Sequence, residues 1–515
     1  MPQYFHPGVY IEEIERGPVP IEGVPTSLAA FLGEAERGSL EPTLCTSYKD
    51  YQRYFGGVFD PNKFMPYAAS GFFSNGGTEV YICRLVPADA KVAQIAAGNF
   101  LLEAVGAGVW GNRVYVSIDP STTQAPDGAG GKKPVGFKLT LAYYGTVPAS
   151  SPNLWFADPT KGPKPDYFEV FDDLVMDPSS PDYYDKRLTD NSSLATLLPT
   201  AAAGPTDTPT QGQYQLAGGT DGTLPLTSAD YVGEVDNTRA NIQGLSALLL
   251  DPYRDVALVY GPGVVDVPTA QAIITHCENS RYRFAVLDCD KSANASTLDP
   301  RTTITDTEYA AFYYPWIWIA DPETGARKAV PPGGHMLGIY ARSDAQRGVF
   351  KAPANEIVNG ALDLYYNTDD GTQDVLNPRG VNAIRRFPGR GIRLWGARTM
   401  SSDALWKYVS VRRLFIFLEH SIFNGTQWVV FEPNDQRLWA RVIDSIRLFL
   451  RTQWRAGALF GATEKEAFFI TCDQTTMTQD DILNGRLICE IGIAPVRPAE
   501  FVIFRIFQNT ADTTQ

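Results

Sequence analysis

Three features of the sequence predict a multidomain chain of α/β and α+β type, with an inserted β-containing region and strand-like arms at both ends. First, 255–260, 268–279 and 284–288 read as strand, helix and strand, a spacing that implies a right-handed crossover in a parallel sheet. Second, residues 120–230 hold 14 of the 37 prolines and 11 of the 45 glycines, the texture of a loop-rich outer insertion. Third, the last third of the chain alternates amphipathic helical patterns with short apolar strands.

The elements follow in order. Pro2, Pro7, Pro18 and Pro20 forbid a continuous helix in the first 22 residues. Between them Gly8, Val9, Tyr10 and Ile11 open a short strand-forming run that needs an edge to pair with. Residues 27–33 read as a buried strand ending at a glycine, 48–55 as a helix and 79–85 as a strand. After the insertion and the crossover, 312–320 (FYYPWIWIA) reads as one very apolar strand, which Pro315 moves toward an edge or a bend. Ser410 is placed to cap a helix over 411–418 that Asn424 and Gly425 end. Residues 428–431 read as a strand, 435–457 as a long helix, and 467–472, 486–494 and 500–507 as three closing strands.

Composition narrows the function. With 515 residues, 44% hydrophobic and 12% aromatic, the chain has the means for about three packed domains and is too apolar for disorder. No run is long and apolar enough for a spanning helix, and the N-terminal residues lack the basic start and apolar core of a secretory signal. A net charge of −14 argues against general affinity for nucleic acid or anionic membranes. Six cysteines without a CxxC pair are expected to remain unbridged in a reducing cytoplasm. The charge is uneven, however. Residues 381–455 carry 13 bases against five acids, a basic segment suited either to internal pairing or to an acidic partner.

Chemical motifs are weak. Gly106, Gly108 and Gly111 match GxGxxG, but the loop runs into an apparent strand at 112–118, whereas a dinucleotide site needs it to open a helix. Four histidines (His6, His276, His335, His420) are available as bases, and only His335 sits at a loop–helix junction. No GxSxG accompanies them, and packed or capping histidines are the better reading. His276, Cys277 and Cys289 lack a fourth ligand and zinc spacing. No catalytic residue, metal or cofactor is expected, and the chain reads as a non-enzyme.

Two segments carry more. On the helix 435–457, Leu438, Trp439, Val442, Ile443, Ile446, Phe449, Leu450 and Trp454 fill one side. Arg437, Arg441, Arg447, Arg451 and Arg455 share the other with the single acid Asp444. One acid cannot pair five arginines, which favours a contact face for an acidic partner over a solvated face. The final run, with Phe501, Val502, Ile503, Phe504 and Ile506, is apolar on both sides and must be covered twice and paired along its edges. Either both ends complete their own sheet, or they add strands to neighbouring copies.

Further motifs stand around these segments: Tyr4-Phe5-His6-Pro7-Gly8-Val9-Tyr10-Ile11-Glu12-Glu13, Gly108-Val109-Trp110-Gly111-Asn112-Arg113, and most specifically Trp395-Gly396-Ala397-Arg398, Phe431-Glu432-Pro433-Asn434 and Pro495-Val496-Arg497-Pro498-Ala499-Glu500-Phe501. With these residues the chain resembles contractile tail sheath proteins of phages, R-type bacteriocins and extracellular injection systems. It implies an N-terminal linker arm at 1–22, a region packing with the α/β core at 23–119 and a surface insertion at 120–230. It further implies a subtilisin-like α/β domain without a catalytic triad at 231–380, a tube-facing α+β domain at 381–498 and a C-terminal strand arm at 499–515. By the same resemblance the chain is a subunit that polymerises around an inner tube and contracts to drive it through a target envelope. Its partners would be other copies of itself, the inner tube protein, and baseplate and tail terminator proteins, with paralogous sheath proteins left open. No nucleic acid and no direct membrane insertion are implied. Assembly would occur in the bacterial cytoplasm, as part of a phage tail or tail-like particle. The terminal arms would link neighbours, and the five arginines would face the tube. A non-contractile tail or capsid protein, or a hydrolase on the α/β domain, are the alternatives.

Overall fold

The computed structural model describes residues 19–126, 130–189, 191–204, 207–235 and 242–505. The chain forms two compact units, one of residues 25–346 and 353–409, the other containing 19–24, 347–352 and 410–505. The larger is built on a nine-stranded sheet among the described residues. Its spatial order is Glu356–Ile357, Gly391–Leu394, Val381–Phe387, Ala310–Tyr314, Phe284–Asp288, Leu258–Tyr260, Ala29–Gly33, Val80–Arg84 and Thr43–Cys45. The pairings from Val381–Phe387 through Val80–Arg84 are parallel, and the flanking ones antiparallel. Strands such as AAFLG and FAVLD are buried at every residue, as a sheet covered on both faces requires. The crossover helix Val267–Ser280 is capped by Asp266, whose side chain accepts from Thr269 N–H.

The sheet corrects three expected boundaries. Ala29–Gly33 and Val80–Arg84 do not merely pack against the α/β core; they are central strands of it. Val381–Phe387 pairs in parallel with Ala310–Tyr314, so the α/β body extends to Val409, past the break expected at 381. The β-rich insertion begins before 120. A four-stranded antiparallel sheet (Tyr167–Leu174, Phe137–Tyr143, Val114–Pro120, Gly212–Gln215) and a three-stranded one (Ala195–Pro199, Phe100–Ala104, Gln94–Ala97) share one apolar core running from Ala93 to Leu216. Its amino-terminal strands read as ordinary globular sequence because the Pro/Gly enrichment lies in the later connections.

Residues 312–320 form two strands instead of one. Ala310–Tyr314 lies inside the large sheet, and Ile317–Ala320 joins a separate sheet with Arg327–Val330 and Ala361–Leu364. Pro315, lacking an N–H, follows the first strand rather than interrupting it, so that strand is interior and not an edge.

The smaller unit packs two helices, Val409–Gly425 and Gln436–Arg455, with an antiparallel pair of strands, Phe468–Thr471 and Glu490–Ile493, around one core. The first helix begins at Val409, so Ser410 lies within it instead of capping it. The strand expected at 428–431 is absent. Gln427–Val429 is a 3₁₀ turn, and Phe431 takes a left-handed backbone conformation with its side chain fully exposed. Beside this turn the Trp428 ring lies under the Arg441 guanidinium, 4.5 Å from its centroid.

Candidate functional site

The long helix is set by its ends and its apolar stripe. Asp435 accepts from Leu438 N–H at 2.9 Å, closing the first turn. Leu438, Trp439, Val442, Ile446, Phe449 and Leu450 are buried as expected, and Ile443 and Trp454 are half-buried against the same core. Two indole N–H groups pin the helix to its surroundings: Trp439 donates to Asn434 Oδ1 (2.8 Å) and Trp454 to the Gly461 carbonyl (3.0 Å).

The arginines on the other side divide. Arg441 pairs with Glu432 at 3.6 Å, Arg447 with Asp444 at 3.2 Å and with Glu464 at 3.7 Å, and Arg451 with Glu464 at 2.7 Å. The expectation that one acid was available held for the helix itself. The structure brings Glu432 and Glu464 in from the flanking segments, so internal pairing accounts for three of the five. Arg437 and Arg455 are exposed at the two ends, and no ion pair engages them among the described residues.

The second candidate is the C-terminal segment. After Ile493 the chain stays attached through Ala494 N–H to Ala467 O (2.9 Å) and Val496 N–H to Ala458 O (3.2 Å). Phe501, Val502, Ile503 and Phe504 are 72, 68, 78 and 85% exposed and belong to no strand; of the strand expected at 500–507, residues 500–505 form none and 506–507 lie outside the described residues. Ile506, and the arm residues Gly8, Val9, Tyr10 and Ile11, lie outside the described residues. Four consecutive large apolar side chains in water leave about 1.5–3 kcal/mol of burial free energy per residue unrealised.

No described residue set assembles into hydrolytic chemistry. His335 is buried in the helix Gly333–Arg347, packed over Gly71, and burial pushes its imidazole down to about 4. His276 is buried against Arg283, 2.8 Å away, and burial followed by that positive charge pushes it down to about 3. His420 is buried as well, and His6 lies outside the described residues. The GxGxxG segment leads into a 3₁₀ turn, Val109–Arg113, and then the strand Val114–Pro120, with no helix to receive a phosphate. A cleft of about 1060 Å³ within the larger unit is lined by charged groups already engaged in the fold. Glu36 accepts from Gly57 N–H (2.9 Å) and Tyr143 O–H (2.6 Å), while Arg84 donates to the carbonyls of Ala35 (3.3 Å) and Gly38 (3.2 Å). Among the described residues no helix is long and apolar enough to cross a membrane, and no group of three or more His, Cys, Asp or Glu could hold a metal ion.

The described residues thus present a parallel-sheet body, a helix with an arginine-bearing face and an exposed apolar run at 501–504. Residues 233–400 match the family model of the phage tail sheath protein central domain, and 401–509 that of the phage tail sheath C-terminal domain. These matches together span more than half of the chain, which belongs to the phage tail sheath protein family.

Among curated relatives, it is 26% identical over 198 residues to a putative prophage major tail sheath protein of Pseudomonas aeruginosa, covering 37% of this chain and 49% of that protein. It is 26% identical over 333 residues to the tail sheath protein of Burkholderia phage BcepMu, covering 60% of this chain and 66% of the relative. The match thus spans about half the length of the first of these relatives. Among solved structures, the sheath of the anti-feeding prophage (AFP) in its contracted state is similar with a TM-score of 0.59 and 25% identity, over 98% of this chain and 99% of that one. The PVC sheath, an extracellular contractile injection system in its contracted state, shares the fold with a TM-score of 0.60 at 23% identity, over 99% of both chains.

Proposed function

We propose that this chain is the structural subunit of a contractile sheath, polymerising around an inner tube and shortening to drive it outward. The observation that carries the reading is the exposed apolar run Phe501–Phe504, which nothing among the described residues covers. A strand added to a neighbour's sheet gains several backbone hydrogen bonds, each contributing roughly 0.5–1.5 kcal/mol net, and buries that run. The N-terminal arm, Gly8 to Ile11, would supply the second link. Linked at both ends, subunits would form a mesh whose tethers stay paired while the bodies repack as rigid units.

Within this reading the 25–409 body is a subtilisin-like scaffold used for architecture and not for proteolysis. Arg437 and Arg455 face the tube, while Arg441, Arg447 and Arg451 chiefly hold the helix in place. Baseplate and tail terminator proteins close the ends, in a phage tail or tail-like particle assembled in the bacterial cytoplasm.

Negative-stain microscopy tests this. Full-length protein should form tubes, and intact particles should show two sheath diameters. Deleting 1–15 or 500–515 should leave a folded monomer that forms none. A single fixed diameter and length would favour a non-contractile tail component, and normal tubes from the truncated chains would refute the tether. Loss of a measurable esterase or peptidase activity in His335→Ala, with assembly intact, would favour the hydrolase.

A further inference from the structure

We propose that Cys472 and Cys489 are a redox-modifiable pair that closes into a reversible disulfide across the two-stranded sheet when the protein meets a small-molecule disulfide. The register sets Phe468 opposite Ile493, Ile470 opposite Ile491 and Thr471 opposite Glu490, where the ladder ends; carried one residue past that end, it sets Cys472 opposite Cys489. Side chains alternate along a strand. Phe468, Ile470 and Cys472 therefore leave one face, and Ile493, Ile491 and Cys489 leave the same face across the ladder. The packing agrees: Phe468 and Cys472 lie in the core, and Ile470, Cys489, Ile491 and Ile493 pack against it. Both thiols are free, and each lies close enough to perturb the other's titration. Directly opposed residues in antiparallel strands have Cα atoms about 4.5–5.5 Å apart, inside the roughly 4.4–6.8 Å that a disulfide spans. The other four cysteines, Cys45, Cys83, Cys277 and Cys289, are buried in the larger unit.

The accessibilities assign the order of events. Cys489 is half-buried and Cys472 is buried, which makes Cys489 the entry thiol. Its thiolate attacks one sulfur of the oxidant, R–S–S–R, forming the mixed disulfide and releasing one thiolate RS⁻. The Cys472 thiolate then attacks Cys489 Sγ, forms the protein disulfide and expels the second RS⁻. Two protein thiols are oxidised, one small disulfide is reduced to two RSH, and the two thiol protons end on RSH. Burial first, then the neighbouring thiol, pushes Cys489 up to about 12, and burial raises Cys472 as well. The exchange is therefore slow at neutral pH and faster in alkali. Closing it fixes the sheet from which residues 494–505 depart, whatever those residues bind.

The test uses the full-length protein incubated with oxidised glutathione at mildly alkaline pH, followed by intact mass and non-reducing peptide mapping. Wild type should lose the mass of two hydrogens and yield a Cys472–Cys489 crosslinked peptide. Cys472→Ser should stop at a glutathione adduct on Cys489, and Cys489→Ser should give neither product. Proteolysis within 473–488 of the oxidised wild type should slow at least about tenfold, and a reductant should restore it. A stable glutathione adduct on wild-type Cys489, a bond to any other cysteine, or no reaction at all would overturn the proposal.

Discussion

Arg451 donates from Nε to Glu464 at 2.7 Å across 13 residues of sequence, and the same carboxylate also receives Arg447 at 3.7 Å. One glutamate beyond the C-terminal end of the helix thus gathers two arginines that, on the helix alone, face a single acid. This divides the basic stripe into a paired centre and two unengaged ends, and the two parts should respond differently to mutation.

Glu464→Gln removes the shared negative charge at a solvent-accessible site, where ion pairs contribute little. We expect an unfolding midpoint close to wild type and unchanged polymer formation. Reversing the ends, Arg437→Glu with Arg455→Glu, should also leave the fold intact but abolish co-assembly with an acidic tube. Thermal unfolding and co-sedimentation with tubes check both. Co-sedimentation equal to wild type in the double reversal would remove the ends from the contact.

Asp288 gives a pH-dependent test. Its carboxylate accepts from Tyr260 O–H (2.5 Å) and Gly333 N–H (2.8 Å), yet complete burial pushes it up to about 7. Between about 4, where it titrates when unfolded, and 7, the native state holds a proton that the unfolded state has lost. Its contribution is therefore full below about pH 4 and is lost as pH rises through 7. Asp288→Asn does not titrate, so the stability of wild type relative to this variant should fall by roughly 2–4 kcal/mol from pH 4 to pH 8. Depressed His276 and His335 slope the other way, stability rising with pH, and largely cancel in the difference. Denaturant melts at several pH values measure it, and a flat difference would contradict it.

Two glycines predict opposite signs. A Cβ on Gly111 would meet Ala93 Cβ at 2.7 Å and Ala104 Cβ at 3.1 Å inside the β-rich core. Gly111→Ala should cost about 1–3 kcal/mol by overpacking. Gly371 lies in the helix Asp370–Leu376 with only Asp369 Oδ1 nearby, at 3.8 Å. Gly371→Ala should be neutral or add up to about 1 kcal/mol. Chemical denaturation distinguishes them.

The strongly periodic pieces were legible in the sequence. The helix Tyr48–Phe55 and the strand Phe284–Asp288 fall where local pattern puts them, and the buried face of the long helix follows from its 3.6-residue period. What pattern missed depends on distant partners. Val381–Phe387 joins the parallel sheet only because Ala310–Tyr314 offers an edge, and Glu464 reaches the arginines only after the chain turns back. The run at 428–431 has strand-like residues and no strand beside it, so it became a turn. For the candidate surfaces, the two-sided apolarity of 501–504 was visible, whereas which arginines stay unpaired was not.

Amide hydrogen exchange at residues 500–505, compared between monomer and assembled tube, tests the central claim most directly. The account predicts fast exchange in the monomer and strong protection after polymerisation, as these residues gain a strand partner from another copy. Protection already complete in the monomer, or exchange equally fast in the tube, would contradict it.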